Sequence, residues 1–299
     1  MRYRSFDEML EASAGKLLRL VVVDPAGEEV MEALSAAVKI KLVLPVLVGA
    51  KGKIEPLVRK FGIADAEFVD ADSPEEASLR AVEIVREGKG ELLMKGKVST
   101  PILLKAVLDS ERGLRKGKLL SHIAVLEIST YPKLTIHTDA GMNINPDILT
   151  KVEILKNALE VARKLGTEKP YVAVLSAIET VSKDMPETLD AAMLSKMAER
   201  GDFGEAIVDG PLAFDVAVSA EAAKLKGINT PVAGNTDIFL YPNIASGNIS
   251  VKSLIYLAGA RVGGVVVGAK VPVVLLSRAD SPKEKLASLA LGSILTGSR

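Results

Sequence analysis

Ser277, Arg278 and Asp280 fall within four residues of one another, immediately after the apolar run Val273–Leu276. A guanidinium presents a planar fork of donors that matches phosphate oxygens. A hydroxyl can hydrogen-bond a thiol or a developing oxyanion, and a carboxylate can take up a proton. Ser281-Pro282-Lys283-Glu284 then has the pattern of a capping box with proline at the first helical position, so the positive end of a helix follows. The same residues also have a purely structural reading, an Asp–Arg surface pair with Ser281 and Glu284 closing a helix start.

A second constellation is Lys95-Gly96-Lys97-Val98-Ser99-Thr100-Pro101, with Lys105 one helical turn further on. Two ammonium groups, two hydroxyls and a helix start at Pro101 together suit an anion. A third set lies at the ends of other apolar runs: Asp139 and Asn143, Asp209, Asn235 and Asp237, and Asn243. Asn and Asp often make turns and caps, and Asn145, before Pro146, is expected to cap a helix. Repetition of the pattern nevertheless favours a shared polar cleft. His122 and His137 sit inside strand-like runs and read as hydrogen-bonded structural residues.

Something must hold these groups, and the chain alternates short apolar runs with longer amphipathic ones. Leu18–Val23, Leu42–Val48, Glu91–Met94, Ile123–Ile128, Leu134–His137, Tyr171–Ser176, Ala206–Val208, Asp237–Leu240, Gly264–Val267 and Val273–Leu276 are expected strands. Their near-continuous apolar character suits parallel strands covered on both faces. Between them stand helix signals: Ser73-Pro74-Glu75-Glu76 as a capping box, Asn145-Pro146 with Gly166 as a stop, and Pro186 with Gly201. Alternation of this kind predicts an α/β fold with a largely parallel sheet. Apolar periodicity stops in Ser110–Lys118, and a second break falls near Gly268-Ala269-Lys270. These divide the chain into 1–117, an inserted 118–268 and a returning 269–299.

Other classes are excluded by what is missing. Lys plus Arg and Asp plus Glu both number 38, and a neutral chain lacks the basic surface that nucleic acid requires. With no cysteine there is neither a disulfide nor an acyl-cysteine intermediate, and two histidines without HExxH give no zinc pattern. Val262–Leu276, the most apolar stretch, is too short and too broken by glycine, lysine and proline to span a bilayer. The N-terminal residues lack the apolar core of a signal peptide, so a cytoplasmic location is expected. No GxGxxG follows the first strand, and Gly90–Lys97 lacks P-loop spacing.

The same segments, in order, resemble a known family. Leu92–Thr100, Asp139–Pro146, Leu189–Met197, Val208–Ala213, Pro231–Asp237, Val267–Pro272 and Ser277–Ser281 are similar to the motifs of the phosphate acetyl/butyryltransferases, with the butyryltransferase branch nearest. The match is strong from about residue 90 onward. The resemblance implies two α/β domains with largely parallel sheets facing a cleft, an isocitrate/isopropylmalate dehydrogenase-like architecture. It implies the reversible reaction of a short acyl-CoA with phosphate to give acyl phosphate and coenzyme A, in a ternary complex. No bound cofactor or metal is implied, coenzyme A being substrate or product; a homodimer or larger homo-oligomer is. Ser277 and Arg278 match the pair that contacts the reacting groups. The proton acceptor maps onto Glu284 by gapless counting, whereas Asp280 belongs to the butyryltransferase-like Ser-Arg-Ala-Asp-Ser run and is preferred. Lys105 stands where the acetyltransferases carry an arginine. Phosphate acetyltransferase is the nearest rival, a catalytically silent regulatory domain of this fold is another, and a metal-dependent decarboxylating dehydrogenase a third.

Overall fold

Leu18–Val23 shows how composition becomes architecture: four of its six residues are wholly inaccessible, which only a central strand with both faces covered allows. The structure is a computed structural model and describes residues 2–117, 119–275 and 280–296. Its elements begin with α1 (Phe6–Ser13), β1 (Leu18–Val23), α2 (Glu28–Lys39), β2 (Val43–Gly49), α3 (Lys51–Phe61), β3 (Glu67–Asp70), α4 (Pro74–Arg86), β4 (Leu92–Lys95) and α5 (Thr100–Val107). They continue with β5 (Ser121–Glu127), β6 (Thr135–Thr138), α6 (Ile148–Lys164), β7 (Tyr171–Leu175), α7 (Pro186–Glu199), β8 (Ile207–Leu212), α8 (Phe214–Val218) and α9 (Ala220–Leu225). The remainder comprises β9 (Ile238–Leu240), α10 (Ile244–Ala258), β10 (Arg261–Val267), β11 (Val273–Val274) and α11 (Pro282–Leu295).

The chain forms two compact units, an outer one of Phe6–Lys118 with Val262–Arg299 and an inserted one of Leu119–Arg261 with Met1–Ser5. In the outer unit the strands lie in the order β3-β2-β1-β4-β11-β10. All neighbours are parallel except β10 and β11. In the inserted unit the order is β5-β6-β9-β7-β8, and only β5 and β6 are antiparallel. The N-terminal residues are tied to the inserted unit by Tyr3 N–H donating to the Leu165 carbonyl at 3.1 Å and Arg2 pairing with Asp237 at 2.6 Å.

Local signals explain most element ends, and three depart from expectation. Ser281 and Glu284 cap α11 reciprocally, as a capping box should. At α4 the box is only half made: Ser73 accepts from Glu76 N–H at 3.1 Å, but the Glu76 carboxylate reaches back to Asp72 N–H and is also held by Arg80. At α6 the cap is Asp147, accepting from Thr150 N–H at 2.8 Å, rather than Asn145; a carboxylate there also complements the helix dipole. β3 was not foreseen, since Glu67-Phe68-Val69-Asp70 is polar at both ends, as an edge strand can be.

His137 behaves as the sequence suggested. Its ring is buried, stacked on Phe239 at 4.7 Å, with Nε2 against Thr135 Oγ1 at 3.0 Å and Nδ1 against Tyr241 Oη at 2.9 Å. Burial holds its pKa down to about 3. The folded state thus binds a neutral imidazole while the unfolded chain protonates near pH 6.5. This contribution to stability is complete above about pH 6.5 and is lost as the pH falls from there toward 3. Urea unfolding across that window should show His137→Gln losing stability on acidification less steeply than the parent.

Candidate functional site

The outer unit places Lys95, Lys97, Ser99 and Thr100 in one corner, between β4 and α5. The corner is shaped by a close backbone approach. Gly96 N–H donates to Val23 O at 2.8 Å and Lys97 N–H to Asp24 O at 2.7 Å, where β1 ends. A Cβ on Gly96 would lie 2.2 Å from the Asp24 oxygen, so the approach requires glycine. Lys95 is buried, and its Nζ donates to the carbonyls of Gly96 and Val98 at 3.1 and 3.2 Å, clamping the turn. Lys97 is exposed, with its stem lying against Gly27 at the start of α2. Ser99 is the N-cap position of α5, though its side chain makes no cap bond, and Lys105 is exposed in the last turn of that helix.

β11 runs parallel to β4 in the register Val274 with Met94. The strand that precedes Ser277 and Arg278 in sequence therefore ends beside the residue before Lys95, at the carboxyl edge where open α/β sheets bind ligands. Ser277 and Arg278 themselves lie outside the described residues. Asp280 and Glu284 lie at the start of α11. One Glu284 carboxylate oxygen accepts from Ser281 N–H at 2.5 Å, and the Asp280 carbonyl accepts from Lys285 Nζ.

In the inserted unit Asp139, at the end of β6, organises the loop that follows. Its carboxylate accepts from the backbone N–H of Gly141 at 2.8 Å, Met142 at 2.9 Å and His122 at 3.1 Å, and from Asn143 Nδ2 at 2.6 Å. Asn143 also donates to the Leu120 carbonyl. Asn243 caps α10, accepting from Ser246 N–H at 3.0 Å, and Asn248 Nδ2 reaches the Ala140 carbonyl. Asp139, Asn143 and Asn243 are thereby gathered at the carboxyl ends of β6 and β9.

The other polar residues are elsewhere. Asp209 is inside β8 opposite Ala173, two strands beyond β9, with its carboxylate accepting from Gly210 N–H. The loop expected after Val208 is strand as far as Leu212. Asn235 and Asp237 precede β9 and so occupy the opposite, amino edge from Asn243. Asp237 is buried and fully engaged: Arg2 at 2.6 Å, Lys133 at 2.7 Å and Tyr171 N–H at 2.8 Å. The Asn235 carbonyl accepts from the same Lys133. Burial lowers the Lys133 pKa, although Asp237 opposes the shift, and burial raises Tyr131, whose hydroxyl donates to the Thr236 carbonyl, to about 12. The expectation of one polar edge fails for this pair, because a buried carboxylate needs cations, and the N-terminal residues supply one of them.

Two polar atoms are orphaned among the described residues, His122 Nδ1 and Ser176 Oγ. His122 was expected to be satisfied. Its ring instead flanks the Asp139 loop, within 2.9 Å of where a Cβ on Gly141 would sit, and desolvation lowers its pKa. Ser176 follows β7 at the carboxyl edge; its place at the end of an apolar run was the available signal. Among the described residues no group of three His, Cys, Asp or Glu is placed to hold a metal ion, and no helix is long and apolar enough to cross a membrane.

Comparison with known proteins gives the family. Residues 65–292 match the phosphate acetyl/butaryl transferase family, and the chain belongs to that family. It is 42% identical to the phosphate butyryltransferase of Clostridium acetobutylicum over 99% of both chains. It is likewise 42% identical to the phosphate acetyltransferase of Thermotoga maritima, covering 96% of this chain and 98% of that one. Among solved structures, a branched-chain phosphotransacylase from Enterococcus faecalis V583 superposes with a TM-score of 0.84 at 34% identity, over 95% of this chain and all of that one.

Two substitutions separate the two polar corners. Asp139→Ala strands several buried donors at about 1–3 kcal/mol each, so a loss of about 3–5 kcal/mol is expected in urea unfolding. Gly96→Ala forces the ends of β1 and β4 apart. It should lower Tm by several degrees and cut turnover in whatever remains folded at 25 °C, read by thermal melting and a thiol-release assay.

Proposed function

We propose that this phosphate acyltransferase acts on a short acyl group, butyryl by preference, with Ser277, Arg278 and Asp280 at the reacting atoms. The observation that carries the reading is the parallel register of β11 with β4. It sets the strand leading to Ser277-Arg278 beside the strand leading to Lys95-Gly96-Lys97, in a chain whose family is phosphate acyltransferase.

In the direction of acyl phosphate synthesis, a phosphate oxygen attacks the thioester carbonyl carbon and the carbon–sulfur bond breaks. Protonated Asp280 returns its proton to the departing thiolate. In reverse, the Asp280 carboxylate takes the thiol proton, sulfur attacks the carbonyl, and the bond to the phosphate oxygen breaks. Arg278 balances the phosphate charge and that growing on the carbonyl oxygen, while Ser277 hydrogen-bonds the sulfur or the oxyanion. Lys95 and Lys97, with Ser99, Thr100 and Lys105, supply the positive field for phosphate and for the phosphates of coenzyme A. Asn143, Asp209 and Asn243 are read as polar contacts for substrate, and the internal partners of Asp139, Asp237 and Asn235 give those three a scaffolding role instead.

Asp280 is preferred to Glu284 because Glu284 is already committed to the α11 capping box. The enzyme uses no bound cofactor, works in the cytoplasm, where acyl-CoA and phosphate meet, and assembles with copies of itself. Butyryl is preferred on the Ser-Arg-Ala-Asp-Ser run, since the butyryl- and acetyl-named relatives are equally identical to this chain.

Thiol release from acetyl-, butyryl- and branched acyl-CoA in the presence of phosphate tests the assignment. Butyryl-CoA should give the highest kcat/KM; a higher value for acetyl-CoA would reassign the substrate. Arg278→Ala should cut turnover by orders of magnitude in an intact fold. Asp280→Asn should do the same, whereas Glu284→Gln should mainly lower Tm. The reverse ranking would move the base to Glu284.

A further inference from the structure

Lys95, Lys151 and Lys285 are buried lysines. Lys151 follows the ordinary rule for an interior ammonium and pairs with a carboxylate, Asp190, at 2.6 Å. Lys95 directs its ammonium to the carbonyls of its own turn. Lys285 is only 3% exposed, yet among the described residues no carboxylate pairs with it, and its Nζ donates to the Asp280 carbonyl.

The place is a poor one for a cation. Lys285 is the fourth residue of α11, inside the first turn, where unpaired backbone N–H groups make the helix end positive. Ser288, Leu289 and Gly292 continue its face at spacings of three, four and seven residues. That face meets the sheet: Ser288 Oγ accepts from Gly264 N–H of β10 at 2.9 Å, and a Cβ on Gly292 would lie 2.7 Å from the Leu92 side chain of β4. Helical side chains lean toward the N-terminus, which brings the Lys285 ammonium back to the carbonyl just ahead of the helix. The helix start does not need it, because Ser281 and Glu284 already close the capping box.

What the lysine adds is a grip on one peptide group. The carbonyl of Asp280 and the N–H of Ser281 belong to the same planar unit. Lys285 Nζ holds the carbonyl, and the Glu284 carboxylate accepts from the N–H at 2.5 Å. Two neighbouring side chains of opposite charge thus hold the two polar ends of the plane that leaves Asp280. A carboxylate that must meet a proton at hydrogen-bond range gains from a backbone fixed in this way, since only its own side-chain torsions are left to settle.

We propose that Lys285 is a positioning residue for the acyl transfer, holding the Asp280 backbone so that its carboxylate is presented to the reacting atoms. This rests on the reading of Asp280 as proton acceptor and adds the residue that aims it. A methionine in the same slot would fill the space without a buried charge at the positive end of a helix, so a lysine is retained there at the expense of stability.

Steady-state kinetics and thermal melting of the full chain test this together. Lys285→Met should lower kcat about ten- to a hundredfold while the KM values for acyl-CoA and phosphate stay within about threefold. Its Tm should equal or exceed the parent value, whereas a merely structural lysine would lose Tm. Lys285→Gln provides the same kinetic comparison if the methionine variant does not fold. Lys285→Arg keeps a donor for the Asp280 carbonyl and should recover at least part of the lost kcat. Lys283→Met, the same change at an exposed position in the same turn, should leave turnover unaltered. Parent-like kcat in the Lys285 variants, a loss that appears in KM instead, or a fall of kcat and Tm together would each overturn the positioning role. Asp280→Asn separates this from the underlying reading: full turnover in that variant would overturn Asp280 as the base, whereas its inactivity beside parent-like Lys285 variants would remove the lysine alone.

Discussion

Parallel pairing is the constraint from which the rest follows. A strand laid parallel to its neighbour cannot return by a hairpin, so the chain crosses back through a helix and delivers every following loop to the same edge. In the outer unit this puts the ends of β1, β4 and β11 side by side, with the glycine turn at Gly96 wedged against the last carbonyls of β1. In the inserted unit it brings the ends of β6 and β9 together, where Asp139 and Asn243 sit. The chemistry-bearing residues are far apart in sequence and share an edge for this topological reason.

Where pairing is antiparallel, or a polar segment comes before its strand, the rule gives a different answer. Asn235 and Asp237 precede β9 and end at the amino edge, where Asp237 has become the anchor for Arg2, Lys133 and Tyr171 N–H. A buried carboxylate with two cations and a backbone donor is a fastening. Asp139 is also buried, but its partners are mainly backbone N–H groups, so it shapes a loop instead of pinning a charge. Equivalent residue types thus serve opposite ends, and the direction of the strand separates them.

Much of this was legible in advance. Continuous apolar runs such as Leu18–Val23 announce buried parallel strands, and Ser281-Pro282-Lys283-Glu284 announces its helix, because burial on both faces and capping are local demands. What escaped was set by distant partners. The Glu76 carboxylate chose Asp72 N–H and Arg80 over its own box, and the Asp237 fastening depends on Arg2, 235 positions earlier. The edge strand β3 carries too little apolar character to stand out. His122 was expected to be a hydrogen-bonded structural residue, and the orphaned Nδ1 depends on how Gly141 packs against the ring, which no spacing reveals.

The interleaving of the two units has a bearing on how the chain comes off the ribosome. The inserted unit has every strand in hand once β9 and α10 are made, and its five N-terminal residues have long been waiting. The outer unit has its first strands made before those of the inserted unit but lacks β10, β11 and α11, so β4 keeps an open, apolar edge until β11 has been made. Maturation of the unit whose first strands are made earliest thereby waits until β11 has been made. An exposed strand edge during that wait is an invitation to misassociation, and it places the greatest demand on chaperones in the interval before β11 docks.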